Sequence, residues 1–214
     1  MDRSGLVMRI SAPLVDRVLA APIDPSIAWE GYIDQIKSVR AHNAQTTHIG
    51  AEHPRLAWLL HRFVRDMKCT RVLELGVQSG GSAYGVLTAL PEGGLYVGID
   101  NEMDAHATYG GCGVKEIGVC RKVIIMGDAR EIVPRLRWGV WDLIHIDHYK
   151  EYYLHELEAL IATRQIGRNT VVIFHDIEGM AAFCWLDCQS YFINVRQVPG
   201  AIIENGVGIC WGVR

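Results

Sequence analysis

VLELGVQSGGS, residues 72–82, changes character twice. Val72 to Leu75 is an apolar run broken only by Glu74, which predicts a short strand buried on both faces. Gly76, Gly80 and Gly81 follow, residues that let a backbone turn sharply and come close to a ligand. Ser82 then opens a stretch of helical character reaching Leu90, and the N-terminus of a helix offers free N–H groups to an anion. Strand, glycine turn and helix are the first half of a βαβ unit.

The same alternation continues downstream. Leu95 to Ile99, Val123 to Met126, Leu143 to Ile146 and Val171 to Phe174 read as further buried strands. Helical stretches are expected over Ala129 to Leu136 and Tyr152 to Ala162, the latter with Tyr153, Leu157, Leu160 and Ile161 on one face. Strand–helix alternation predicts an α/β fold, a right-handed parallel sheet with helices on both sides. The tail departs from it: Phe192 to Val198, Ala201 to Ile203 and Val207 to Trp211 are expected as strands joined by turns at Pro199-Gly200 and beyond, an antiparallel ending. Upstream, Ile27 to Arg40 and Pro54 to Met67 carry helical spacing, with Pro54 suited to a first turn. Residues 1–68 are thus expected to form a helical extension or lid, and 69–214 one compact unit.

In an open α/β sheet the ligand lies beyond the carboxyl ends of the strands. Those ends carry Glu74, Asp100 and Asp128. A carboxylate at Asp100 suits the hydroxyls of a ribose, and Asp128 stands near the expected place of an adenine, although each acid alone also reads as a helix cap. Together they point to an adenosine-type ligand. The fourth end, HIDHYK (145–150), and the fifth, FHD (174–176), would bring Asp147, His175 and Asp176 to one edge of the pocket. Clustered carboxylates stay ionised most readily around a cation. Mg²⁺ comes first, with Mn²⁺, Fe²⁺ and Zn²⁺ admitted by the imidazole. The plainer alternative is a helix cap beside a non-ligating His175. Lys150 is a candidate general base, or a solvated surface lysine.

Composition narrows the classes. The chain has 214 residues, 21 Lys+Arg against 24 Asp+Glu, and a net charge of −3. That balance disfavours duplex nucleic acid as a partner. No apolar run is long enough for a bilayer, and charges at Asp2, Arg3 and Arg9 interrupt any signal-like segment. The six cysteines form no C-x-x-C pair, so they read as reduced thiols of a cytoplasmic protein.

VLELGVQSGGSA (72–83), with KVIIMGDAREIVPRL (122–136), IDHYKEYYL (146–154) and TVVIFHD (170–176), resembles the class I S-adenosylmethionine-dependent methyltransferases, most closely the metal-dependent catechol O-methyltransferase type. The His-Asp after the fifth strand is also similar to cephalosporin-hydroxylase-like and macrolide-sugar methyltransferases. The resemblance implies a Rossmann-like seven-stranded sheet, S-adenosyl-L-methionine as cofactor and a divalent cation. It further implies that Glu74, Gly76, Gln78, Gly80 and Ser82 hold the methionine part and Asp100 the ribose. Asp128, Ala129, Arg130 and His148 would border the adenine. Asp147 would be a metal ligand with Asp176 and, in this chain, His175 where the family has Asp; Lys150 would be the base. The acid that catechol enzymes turn toward their substrate has no counterpart around Val198-Pro199.

The acceptor is expected to be a small-molecule hydroxyl on a phenol, sugar or natural product. Trp29, Tyr32, His48, Tyr149, Trp185 and Tyr191 are candidates for its wall, and the N-terminal helical layer is a candidate homodimer face. Two competing readings remain at this point. A nicotinamide-dependent oxidoreductase shares the sheet but not the glycine spacing, and a catalytically degenerate methyltransferase fold would only bind a partner.

Overall fold

Seven strands form one sheet in the order β3-β2-β1-β4-β5-β7-β6 in the computed structural model, which describes residues 10–21, 54–78, 80–101, 114, 117–179 and 182–214. The strands are β1 (Arg71–Leu75), β2 (Leu95–Asp100), β3 (Arg121–Met126), β4 (Leu143–Ile146), β5 (Val171–His175), β6 (Phe192–Val198) and β7 (Val207–Val213). β1 to β5 run parallel. β7 inserts antiparallel between β5 and the edge strand β6. The order reverses between β1 and β4, so a crevice opens where their carboxyl ends diverge.

Alternation along each strand assigns the two faces. Val72, Tyr96, Leu143, Val171, Ile173, Ile209 and Trp211 face one apolar cluster. That cluster also takes up α1 (Ala12–Ala20), α2 (Pro54–Asp66) and α3 (Gly81–Ala89). Leu73, Leu75, Val97, Ile99, Ile144, Ile146, Val172 and Phe174 face the other. There α4 (Ala129–Ile132), α5 (Tyr153–Ala162) and α6 (Ala182–Gln189) cover the sheet. Both faces are thus lined by helices, which explains the continuously apolar strands.

α2 begins at Pro54 and buries Leu56, Leu59, Leu60, Phe63 and Val64. It ends where Lys68 enters the left-handed region. Lys68 N–H then donates to the Arg65 carbonyl and Cys69 N–H to that of Val64, a Schellman closure. α3 packs on α2 so closely that a Cβ on Gly85 would lie 1.9 Å from the Ala57 carbonyl oxygen.

Three local expectations need correction. Ala201 to Ile203 is turn rather than strand; Pro199 has no N–H to give a ladder, and its carbonyl instead accepts from Ile202 and Ile203 N–H. The helix expected over Ala129 to Leu136 stops at Ile132, and a 3₁₀ turn at Val133–Arg135 carries Pro134. α6 was not anticipated: it buries only Trp185 and Cys188, too narrow a stripe to show a helical period. The helix expected over Ile27 to Arg40, with Trp29, Tyr32 and His48, lies outside the described residues.

Candidate active site at the carboxyl ends of the strands

Glu74 sits at the register position facing His145 on β4 and Gly98 on β2. It is fully buried. Its Oε1 accepts from the Ser82 hydroxyl and lies 3.1 Å from His145 Nδ1, while Oε2 accepts from the Tyr96 hydroxyl. Gly98 leaves the space this needs, since a Cβ there would lie 3.0 Å from the Tyr96 hydroxyl oxygen. Burial, and then the Glu74 charge, hold the Tyr96 phenol far above its usual range. Glu74 therefore ties the first turn of α3 to β1, β2 and β4, and reaches the glycine loop through Ser82.

That loop is shaped by three further contacts. Gly76 (φ +93°) passes so near the end of β4 that a Cβ would fall 2.0 Å from the Asp147 carbonyl oxygen. Asp100 Oδ2 accepts from Val77 and Gln78 N–H, each at 2.7 Å. Gly80 N–H donates to the Val77 carbonyl, and Gly80 caps α3 in the left-handed region without any side-chain cap and with no acid in the first turn. An uncapped helix N-terminus facing the crevice is the feature an anionic or carboxylate group needs.

On the far side, Asp128 is the N-cap of α4, accepting from Arg130 N–H at 2.9 Å, with Ala129 as first helical residue. It also pairs with the Arg130 guanidinium, whose hydrogen bond holds the carboxyl below its ordinary range. That guanidinium lies 3.9 Å from the Tyr152 ring centroid. His148 Nε2 lies 2.6 Å from Glu156 Oε2 and meets the Tyr153 ring edge-on.

Four predicted residues converge at the ends of β4 and β5. Asp147, His175 and Asp176 each offer a ligand atom within 4.8 Å of the others. His175 Nδ1 lies 3.0 Å from Asp147 Oδ2 and 3.4 Å from Asp176 Oδ1. Lys150, opening the 3₁₀ turn Lys150–Tyr152, places Nζ 3.1 Å from Asp147 Oδ1 and 2.9 Å from Asp176 Oδ2. Burial pushes the Asp147 carboxyl up, but His175 and Lys150 together hold it well below the usual carboxylate range. Burial pushes His175 down, and the Asp147 charge and hydrogen bond carry it above its ordinary value.

Asp176 adopts φ +54°, a region non-glycine residues enter rarely and often at functional sites. Its Oδ1 is buried without a hydrogen-bond partner. A buried carboxylate oxygen left over between an imidazole and a second carboxylate fits a cation; the donor set of two carboxylates and an imidazole fits a divalent one.

Sequence reading missed the outer contacts. The Glu204 carbonyl lies 3.0 Å from His175 Nε2, and the Tyr153 hydroxyl donates to the His175 carbonyl. The first is a backbone contact with no sequence signature. The alternation of β1 with β2 and β4 would have found Tyr96 and His145, since both share the face of Glu74. Of the candidate wall residues, Tyr149 is exposed. Trp185 is instead core, packed on Phe174 and Gly208, and Tyr191 donates to Glu158 on α5.

A family model described as a methyltransferase domain matches residues 73–177, the span from β1 to just past Asp176. The chain is similar to the class I S-adenosylmethionine-dependent methyltransferases of the catechol O-methyltransferase type. It is 24% identical to a catechol O-methyltransferase of Danio rerio over 124 residues, 56% of this chain and 47% of that one. It is 31% identical to a flavonoid 3′,5′-methyltransferase of Vitis vinifera over 110 residues, 49% and 46% respectively. The matches thus span about half the length of these relatives. An O-methyltransferase from Bacillus cereus, solved with S-adenosylhomocysteine, shares the fold at TM-score 0.67 and 16% identity, covering 94% of this chain and 96% of that one. A Streptomyces achromogenes O-methyltransferase of tomaymycin synthesis, solved with S-adenosylmethionine, does so at TM-score 0.63 and 18% identity, covering 92% and 93%.

Proposed function

We propose that this methyltransferase moves the methyl group of S-adenosylmethionine onto a hydroxyl of a small molecule, beside a divalent cation. The observation that carries the reading is the joining of two half-sites. The uncapped glycine loop of β1–α3 and the Asp147–His175–Asp176 cluster with Lys150 meet where Gly76 touches the Asp147 carbonyl.

In this reading the amides of the loop and of the α3 first turn hold the cofactor's methionine carboxylate, positioned by Gly76, Gly80 and the Glu74–Ser82 bond. Asp100, with Gln78 beside it, faces the ribose; Asp128, Ala129, Arg130 and His148 border the adenine. When bound, the cofactor supplies an electrophilic methyl on a sulfonium, and a cation on Asp147, His175 and Asp176 supplies charge that favours the ionised acceptor. Lys150 stands beside both carboxylates, 25% exposed; once its ammonium has released a proton to water, Nζ would take the acceptor's hydroxyl proton. Holding oxygen, methyl carbon and sulfur in line contributes up to about 7–11 kcal/mol.

The acceptor is a hydroxylated small molecule. The names of the two curated relatives make phenols the first to try, with sugars and other natural products next. The N-terminal segment 1–68 is proposed as a lid over the acceptor and as a homodimer face. No described helix is long and apolar enough to cross a membrane, and the described cysteines are unpaired thiols. We place the protein in the cytoplasm, with neither nucleic acid nor a membrane as partner.

The test is methyl transfer from labelled S-adenosylmethionine to a panel of phenols and sugars. Lys150→Met should lower turnover about 10²- to 10⁴-fold while S-adenosylhomocysteine affinity stays unchanged. Turnover at the wild-type rate in that variant would remove Lys150 from the reaction, and full activity in EDTA would remove the cation.

A further inference from the structure

The orientation of His175 speaks to which cation the proposed site takes, an inference that rests on the cation reading above. The side chain is 4% exposed. Its Nε2 lies 3.0 Å from the Glu204 carbonyl oxygen. A carbonyl and a carboxylate oxygen both only accept, so in the ion-free ring Nε2–H donates to Glu204 and Nδ1–H to Asp147. With Nε2 held by the carbonyl, Nδ1 is the nitrogen that would exchange its proton for a cation. Nδ1 lies between the two carboxylates, 3.0 Å from Asp147 Oδ2 and 3.4 Å from Asp176 Oδ1.

The turn that carries Glu204 is held on either side of it. Glu178 N–H donates to the Asn205 carbonyl, Gly200 N–H donates to Glu178 Oε1, and Arg55 donates to the Ile202 carbonyl. The His175 backbone is pinned in turn by the Tyr153 hydroxyl and by pairing with Val207. This is the outer-contact arrangement that aims a ligating imidazole: N–H to a backbone carbonyl, the other nitrogen toward the ion.

Mg²⁺ prefers an all-oxygen octahedron and gives up water reluctantly. Imidazole suits first-row transition ions, whose affinity rises from Mn²⁺ through Fe²⁺ to Co²⁺. We infer that Nδ1 of His175 makes this site select a first-row transition ion over Mg²⁺.

The test titrates the chelator-treated full-length chain with Mn²⁺, Co²⁺ and Mg²⁺ by calorimetry, independently of turnover. Mn²⁺ should bind at least about tenfold tighter than Mg²⁺, and Co²⁺ tighter again. Pulsed electron paramagnetic resonance of the Mn²⁺-loaded wild type should show coupling to one directly bound imidazole nitrogen. His175→Asp and His175→Asn, which restore an all-oxygen set, should bring the Mn²⁺/Mg²⁺ ratio down toward unity. Equal Mn²⁺ and Mg²⁺ affinity, or no nitrogen coupling in the wild type, overturns the inference and leaves the cation reading standing. No binding of any of the three ions overturns the cation reading itself. The wild-type measurements decide even if a variant fails to fold.

Discussion

At the scale of single residues, two carboxylates near the cofactor loop do different work. Glu74 is buried and fully engaged by Ser82, Tyr96 and His145, so its effect on a cofactor passes through the helix it anchors. Tyr96→Phe would leave that buried carboxylate short of a donor, a loss of about 1–3 kcal/mol. For a domain of this size each kcal/mol is about 2–4 °C in melting temperature, which differential scanning calorimetry resolves. Asp100 already spends Oδ2 on two loop amides. Asp100→Asn keeps an acceptor for those amides but removes the charge proposed to face the ribose. Melting temperature should hold within a degree or two while S-adenosylhomocysteine affinity falls about tenfold, a loss of ~1.4 kcal/mol. A large fall in melting temperature with unchanged affinity would make Asp100 a purely structural loop anchor.

At the scale of elements, the site depends on one crossing. Gly76, on the turn after β1, touches the end of β4 at φ +93°, with no room for a Cβ beside the Asp147 carbonyl oxygen. Gly76→Ala combines a disfavoured backbone with a main-chain clash, together costing more than about 3 kcal/mol. Any folded fraction should bind both S-adenosylhomocysteine and Mn²⁺ more weakly, because the turn and Asp147 would move apart together. Normal affinity for both in soluble Gly76→Ala protein would show that the crossing does not couple the half-sites. β4 and β6 were legible to the residue, and β1, β2, β3 and β5 nearly so, because apolar runs closed by Gly or Asp carry a strong local signal and Pro199-Gly200 marks the end of β6. α6 and the Ala201–Ile203 turn were not. α6 is placed by a tertiary contact that no local pattern encodes, Trp185 against Gly208. At 201–203 the apolar residues read as strand, whereas the Pro199 carbonyl closes a turn that Arg55 holds through the Ile202 carbonyl. For the same reason the convergence of Asp147, Lys150, His175 and Asp176 was readable from strand ends, while the outer support from Glu204 and Tyr153 was not.

At the scale of the whole molecule, the doubly covered sheet has its crevice at the carboxyl edge, where the strand order reverses between β1 and β4. Ligand binding there should stabilise the folded state by mass action, about 2.7 kcal/mol at a hundredfold excess over Kd. A rise in melting temperature with S-adenosylhomocysteine, absent with adenosine monophosphate at equal concentration, would mark the methionine arm of the crevice as well as the adenosine arm. The most direct check on a methyltransferase site at these strand ends is isothermal titration of the full-length chain with S-adenosylhomocysteine, with NAD⁺ in parallel. Saturable one-to-one binding of S-adenosylhomocysteine and no binding of NAD⁺ is the predicted result; binding of NAD⁺ without S-adenosylhomocysteine would contradict it.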